Sequence, residues 1–302
     1  MSRVHTSVLI ATVAFAVSAS AIPNLTAAAE QLSRHVYVTV VDNSGAAVTG
    51  LTAADFRLRE NNRDREIASV EPATEPLRIA LMVEETLTPM GGVRQGLADF
   101  IQQMRGKAEM SIIVVGLANR TAVPYTTDAN ALVAGINALP LSQRQQNNHV
   151  PEGIGDLARV FAKERVARPV MVMIALDSQQ VSNEQPQSVL NLLRDSNAQL
   201  HVVSLETSQA AAGAEGAGAM IDAAGRAQVL GDGPRQSGGR QWPVTALTAV
   251  PKAMASIAND LLNQYKITYT LPAGTDASDR VNVTTSRRGV TLRAPTRIWN
   301  GK

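Results

Sequence analysis

The chain has 302 residues, a formal net charge of +2 at pH 7 and no cysteine. Its length suits one large domain with a smaller companion, and its 45% hydrophobic content can form a core, which must be aliphatic because only 3% is aromatic. The near balance of charge gives no electrostatic basis for nucleic-acid binding. The lack of cysteine excludes disulfides, thiolate nucleophiles and thiolate zinc sites.

Residues 1–29 have the layout of a secretory signal peptide. Arg3 gives a positive start, residues 7–19 are apolar and free of charge, and small residues follow, so cleavage is expected after Ala21 or near Ala29. The alternative is an uncleaved membrane anchor, but the apolar segment is shorter than the ~20 residues that a spanning helix needs. The sequence therefore predicts a secreted or periplasmic protein, of bacterial type, with no membrane span after cleavage.

Residues 30–74 are predicted to form a small β segment. Apolar residues recur at every second position, at Val36, Val38 and Val40, and an Asn-Ser-Gly turn follows them. Phe56 and Leu58 repeat the alternation further along. Short alternating runs separated by turn residues are typical of antiparallel strands.

Residues 75–263 change to apolar runs that alternate with segments at helical spacing. Fully apolar strands between helices indicate a mostly parallel sheet covered on both faces, a doubly wound α/β domain. Within this domain, residues 206–238 are rich in Ala, Gly and Gln and are predicted to be an exposed, flexible insertion with at most a weak helix around 217–227. The strands are expected over 77–83, 110–117, 170–176 and 200–205, and the helices over 93–104, 129–139, 153–163, 187–196 and 247–263.

Residues 264–302 return to the β pattern in "YKITYTL", "RVNVTTS" and "VTLRAPTRIW". Two or three strands alone are marginally stable in water. We therefore expect the strands of 264–302 to pair with those of 30–74 in one small β-sandwich, with the α/β domain inserted between them.

Several stretches resemble the von Willebrand factor A (VWA) domain, and more closely the secreted bacterial type that has a β segment before the domain and a "QY-x-x-x-Y" strand after it. They occur in the order of that type and span most of the chain beyond the signal segment. The stretches are "VTVVDNSGAAVTGLTAADFRLREN", "LRIALMVEETLTPM", "VMVMIALDS", "SGGRQW" and "LLNQYKITYTLPAG".

The resemblance implies a metal-ion-dependent adhesion site at the carboxyl ends of the parallel strands. Its D-x-S-x-S motif falls on residues 84–88, so that Glu84 replaces the Asp and Thr86 and Thr88 keep both hydroxyls. Its final Asp falls on Asp177, and its loop Thr falls on Glu152, with the neighbouring Asn148 and His149 competing for that alignment. The motif is therefore degenerate.

The resemblance predicts that Glu84, Thr86, Thr88, Glu152 and Asp177 bind a divalent cation. The added carboxylates favour Ca²⁺ or Mn²⁺ about as well as Mg²⁺. The structural alternative is that Glu84 and Glu85 are solvated residues at a strand end and that one of the threonines caps the next helix.

The function implied is that of a noncatalytic module, which binds a protein partner at the edge of the sheet where the parallel strands end. No catalytic or organic-cofactor residues are predicted, because the chain lacks G-x-S-x-G, H-E-x-x-H and G-x-x-x-x-G-K-[ST] motifs. The alternative is a metal-dependent hydrolase of the cell envelope, with Asp177 and the glutamates as ligands.

Overall fold

The computed structural model describes residues 32–85, 90–139, 148–176, 182–206 and 217–301. The predicted signal segment, residues 1–29, lies outside these ranges. In the ranges described, no helix combines the length and apolar character that crossing a bilayer requires.

Four strands precede the α/β domain. Burial alternates along the second, where Phe56 and Leu58 are buried and the arginines between and after them are exposed. The second and third strands form a hairpin, and both residues of its turn, Asn61 and Asn62, have positive φ, as a tight hairpin turn requires. The strands are β1 (Leu32–Asp42), β2 (Phe56–Glu60), β3 (Arg63–Arg65) and β4 (Ile67–Pro72).

Six further strands form the sheet of the α/β domain: β5 (Leu77–Glu84), β6 (Ala108–Val115), β7 (Asn119–Thr126), β8 (Pro169–Ala175), β9 (Gln199–Leu205) and β10 (Gln241–Val244). Their order in the sheet is β10-β9-β8-β5-β6-β7. Strand β7 is antiparallel to β6, and every other neighbouring pair is parallel. This is the doubly wound strand order, with β5 and β8 at its centre.

Helices cover both faces of this sheet. The helices are α1 (Gly91–Gln103), α2 (Ala129–Asn137), α3 (Val150–Glu164), α4 (Pro186–Ser196), α5 (Ala217–Ser237) and α6 (Val250–Leu262). Alternate residues of β5 point to opposite faces of the sheet. Ile79 and Leu81 therefore join the core under α1, α2 and α6, whereas Ala80 and Met82 join the core under α3, α4 and α5. The predicted doubly wound, mostly parallel α/β architecture is confirmed.

The terminal strands form the predicted β-sandwich. The C-terminal strands are β11 (Tyr265–Leu271), β12 (Val281–Thr285) and β13 (Val290–Arg293). One sheet has the order β13-β1-β11-β4 and the other β12-β2-β3, so both contain N-terminal and C-terminal strands. Val38, Leu58 and Tyr269 belong to one buried core that the two sheets share. The α/β domain is therefore an insertion in a β-sandwich built from both ends of the chain.

One prediction is wrong in part. Residues 217–237, expected to be an exposed and flexible insertion, form helix α5, and Val229 and Leu230 in its second half are buried. Gly233 lies so close to β9 that a Cβ there would come 2.8 Å from the side chain of Leu200. The composition concealed this helix because its large apolar residues are few and occur as two separate pairs, Met220–Ile221 and Val229–Leu230, rather than at regular helical spacing.

Arg168 ties together the two connections between the sandwich and the α/β domain. It immediately precedes β8 and is 4% exposed. Its Nη1 donates to the backbone oxygens of Ala73 and Glu75, on the incoming connection. Its Nη2 donates to the backbone oxygen of Leu261, in the last turn of α6, and to Oε1 of Gln264, on the outgoing connection. One buried side chain is therefore hydrogen-bonded to both connections between the sandwich and the α/β domain.

Candidate functional site

The candidate site lies at the carboxyl edge, by which we mean the edge of the sheet where β5, β8 and β9 end. In open α/β sheets, ligands bind beyond the carboxyl ends of the strands. Glu84 is the last residue of β5, at the centre of this edge. The position of this predicted site residue therefore agrees with the strand end that the sequence indicated.

Glu84 is fully buried, with 0% of the residue exposed, and its carboxylate accepts hydrogen bonds from three directions. Oε2 accepts from the backbone N–H of Leu176, just after β8, and from Nη2 of Arg226 on α5, at 2.8 Å. Oε1 accepts from Nδ2 of Asn148 at 3.3 Å. The charge of the carboxylate is thus balanced by a guanidinium of the same chain.

Asn148 joins the ends of β5 and β6 to the start of α3. Its Nδ2 also donates to the backbone oxygen of Glu85 at 2.8 Å, and the N–H of the next residue, His149, donates to the oxygen of Gly116. The carboxylate of Glu85 lies over Gly116, where a Cβ would come 2.6 Å from its Oε2. The small residue after β6 therefore leaves space for this second glutamate.

Glu152, in the first turn of α3, acts as a capping acceptor. Its Oε1 accepts from the hydroxyl of Ser182 at 3.0 Å and from the N–H groups of Asn183 and Glu184 at 2.6 and 3.3 Å. These residues immediately precede α4. The described contacts of Glu152 therefore organise the start of the next helix.

The other three predicted ligands, Thr86, Thr88 and Asp177, lie outside the described residues, so the five-residue metal site stays a prediction. Among the residues described, no three His, Asp or Glu side chains are grouped to hold a metal ion. The described contacts of Glu84 do not favour a divalent cation there, because its oxygens accept from N–H donors and one of these donors carries a positive charge that would repel the ion.

Sequence reasoning missed Arg226. It is the cation of the site, but it lies 142 residues from Glu84 in the chain, in the segment that composition made look flexible. Asn148 was noticed only as a competitor for the alignment of the loop position. Neither residue belongs to the motif on which the resemblance depends, so only the fold could bring them to Glu84.

Exposed apolar side chains occur at the same edge. Leu117 follows β6 and is 61% exposed, and Met220 and Ile221 on α5 are 63% and 70% exposed. A helix rises about 1.5 Å per residue, so these two lie within about 9 Å of Arg226 along the axis of α5. The carboxyl edge therefore combines a buried ion pair with large apolar groups that face solvent.

A cavity of about 380 Å³ lies at the opposite edge, near the amino ends of β8 and β9. Four arginines line it, and all four pair with groups of the protein; the first, Arg34, contacts Glu60. Arg168 donates to the two connections described above, and Arg194 and Arg297 both contact Asp279. Since these charges are already satisfied within the fold, we place the candidate site at the carboxyl edge.

No protein-family model matches the chain, and neither does any curated protein. Solved structures are similar at low identity. An aerotolerance-related membrane protein from Bacteroides fragilis matches at 13% identity and a TM-score of 0.44, over 61% of this chain and 98% of that one. A von Willebrand factor type A protein from Catenulispora acidiphila matches at 10% identity and 0.46, over 83% and 75%. The vWF domain of the type V pili tip protein Mfa5 from Porphyromonas gingivalis matches at 9% and 0.45, over 63% and 96%.

Proposed function

We propose that this chain is an exported, noncatalytic interaction module of the VWA type that binds a protein partner at the carboxyl edge. The observation that carries the proposal is the exposure of Leu117, Met220 and Ile221 at that edge. Large apolar side chains that face solvent together are typical of surfaces that bind other proteins. The proposed location, secreted or periplasmic, follows from the signal-peptide layout of residues 1–29.

The described part of the edge supports binding better than catalysis. Oε2 of Glu84 accepts from Arg226, and Oε1 of Glu152 accepts from residues 182–184, so N–H and O–H donors already occupy these two oxygens. The hydrolase alternative would require Glu84 to exchange the guanidinium of Arg226 for a metal ion. Binding through an apolar surface requires no such rearrangement.

The interaction proposal does not depend on a metal ion. A divalent cation held by Glu84, Thr86, Thr88, Glu152 and Asp177 is a separate prediction, which the resemblance alone supplies. If such a site forms, partner binding should be lost in EDTA. If the apolar surface is sufficient, binding should persist in EDTA, and this is the result that we expect.

The test is affinity capture from a cell-envelope extract with residues 30–302 as bait, followed by measurement of the affinity of any retained protein once purified. The double variant Leu117→Asp/Ile221→Asp should lower that affinity by about tenfold or more, because charges would replace apolar groups at the centre of the contact. The matched control is Val160→Asp, an exposed apolar residue about ten residues further along α3 from the carboxyl edge. Capture of nothing by the unmodified bait, or equal loss in the double variant and the control, would contradict the proposal.

A further inference from the structure

We propose that Arg226 is the resident cation of the carboxyl edge, and that its guanidinium takes the place of a metal ion at Glu84. This goes beyond the proposed function, since the ion pair would stabilise the carboxyl edge whether or not a partner binds. A residue of α5 therefore balances the negative charge of Glu84 at the end of β5.

The burial of Glu84 makes a counter-charge necessary. An ionised carboxylate that is 0% exposed is strongly destabilising unless a charge and hydrogen bonds compensate it. Arg226 supplies the charge at 2.8 Å, and its side chain is itself only 20% exposed. In the described residues around Glu84, Arg226 is the only cationic side chain that contacts the carboxylate.

The guanidinium also closes a ring of contacts between three elements. Nη2 of Arg226 donates both to Oε2 of Glu84 and to the backbone oxygen of Leu176, at 2.6 Å. The N–H of Leu176 donates back to the same carboxylate oxygen. The ends of β5 and β8 and the middle of α5 are thus joined through one donor atom and one acceptor atom.

The ring excludes a divalent cation from the same oxygen. A metal ligand must present its oxygen to the ion at about 2.0 to 2.6 Å, but Oε2 of Glu84 already accepts two hydrogen bonds. An ion at this oxygen would have to displace the guanidinium and overcome repulsion from it. We therefore expect this oxygen to bind no metal ion while Arg226 stays in place.

The ring also positions the apolar surface. Met220 and Ile221 lie on the same helix, one to two turns before Arg226. Tying α5 at Arg226 holds these exposed side chains against the end of the sheet. This consequence rests on the proposed function, because it matters only if a partner binds there.

The test is the thermal midpoint, Tm, of the full mature chain in EDTA and in millimolar MgCl₂, CaCl₂ or MnCl₂. The unmodified protein should show the same Tm in all four solutions, within about 1 °C. Arg226→Gln should lower Tm in EDTA by about 10 °C, because it removes the positive charge that contacts a buried carboxylate, and a metal salt should recover part of that loss. The double variant Glu84→Gln/Arg226→Gln should have a higher Tm in EDTA than Arg226→Gln alone and should not respond to metal.

Arg235→Gln is the matched control, because Arg235 lies on the same helix, pairs with Asp232 alone among the described residues and has a side chain that is 78% exposed. It should leave Tm within about 1 °C of the unmodified protein. A Tm loss in Arg226→Gln no greater than in Arg235→Gln would overturn the inference. So would a rise of several degrees in the unmodified protein with any of the three salts.

If Arg226→Gln does not fold, calorimetric titration of the unmodified protein with the same salts decides the question. Flat traces support the resident guanidinium, and saturable heat overturns it. Neither measurement involves a partner, so a failure of the proposed function and a failure of this inference are separately visible.

Discussion

Replacing Glu60 by glutamine should destabilise the β-sandwich far more than removing an exposed acid from the same sheet. Glu60 ends β2 and is 0% exposed. Its carboxylate pairs with Arg34 of β1 and, at 3.2 Å, with Arg65 of β3, and these two side chains are 10% and 7% exposed. It also accepts from the hydroxyl of Tyr269 and the N–H of Ser278, both at 3.3 Å.

The expected cost follows from what each group loses. A glutamine keeps the shape and can still accept from Tyr269 and Ser278, so the change isolates the charge. Two buried guanidinium groups are then left facing each other without a counter-charge. Removing one partner from a buried ion pair costs about 3 to 5 kcal/mol. The free energy of unfolding should therefore fall by about that amount.

The matched control is Asp64→Asn, which removes an acid that pairs with Arg59 at 3.2 Å on the same sheet. These side chains are 88% and 51% exposed, so the expected cost is less than about 1 kcal/mol. Urea unfolding followed by circular dichroism gives both values from the shift in midpoint at constant slope. The reasoning is refuted if Glu60→Gln costs no more than Asp64→Asn.

Two further predictions concern buried polar groups. Burial, with a smaller effect of Arg293, lowers the pKa of His201 from 6.5 to about 3, so below pH 6.5 the unfolded chain binds a proton that the folded chain does not. The free energy of unfolding should therefore fall as the pH is lowered from 6.5 to 3. In urea titrations, His201→Gln should reduce the slope of this free energy against pH by up to about 1.4 kcal/mol per pH unit, and an unchanged slope would contradict the prediction. Tyr265→Phe should cost about 1 to 3 kcal/mol, because the hydroxyl accepts from the N–H of Leu51 and donates to the oxygen of Val48; a midpoint equal to that of the unmodified protein would contradict it.

The sequence predicted those elements that depend on a strong local pattern. Strand β8 is a continuous apolar run and β5 is interrupted only by Arg78 before its final glutamate, and both were located to within one residue of their ends. Strand β7 was missed, because on this antiparallel edge strand only Val123 is buried and Pro124 interrupts the alternation. Edge strands tolerate such residues, so their sequences carry less information than those of central strands.

The position of Glu84 at a strand end could be predicted from the sequence, but its contacts could not. The doubly wound order puts the end of β5 at the carboxyl edge, and that placed Glu84 correctly. Its guanidinium partner could not be found in the same way, since the contact depends on where α5 packs. That packing rests on Val229, Leu230 and the close approach at Gly233, which is a tertiary property that local composition does not reveal.

Strand β8 links the carboxyl edge, where we propose that a partner binds, to the connections between the α/β domain and the sandwich. Arg168 precedes it at one end, and Leu176, which belongs to the ring with Glu84, follows it at the other. A force applied to a bound partner would therefore be transmitted along this fully buried strand to Arg168, which is hydrogen-bonded to both connections between the α/β domain and the sandwich. Because both connections would carry the force, neither β4 nor β11 would be pulled from the sandwich alone. The α/β domain should therefore resist displacement relative to the sandwich under force.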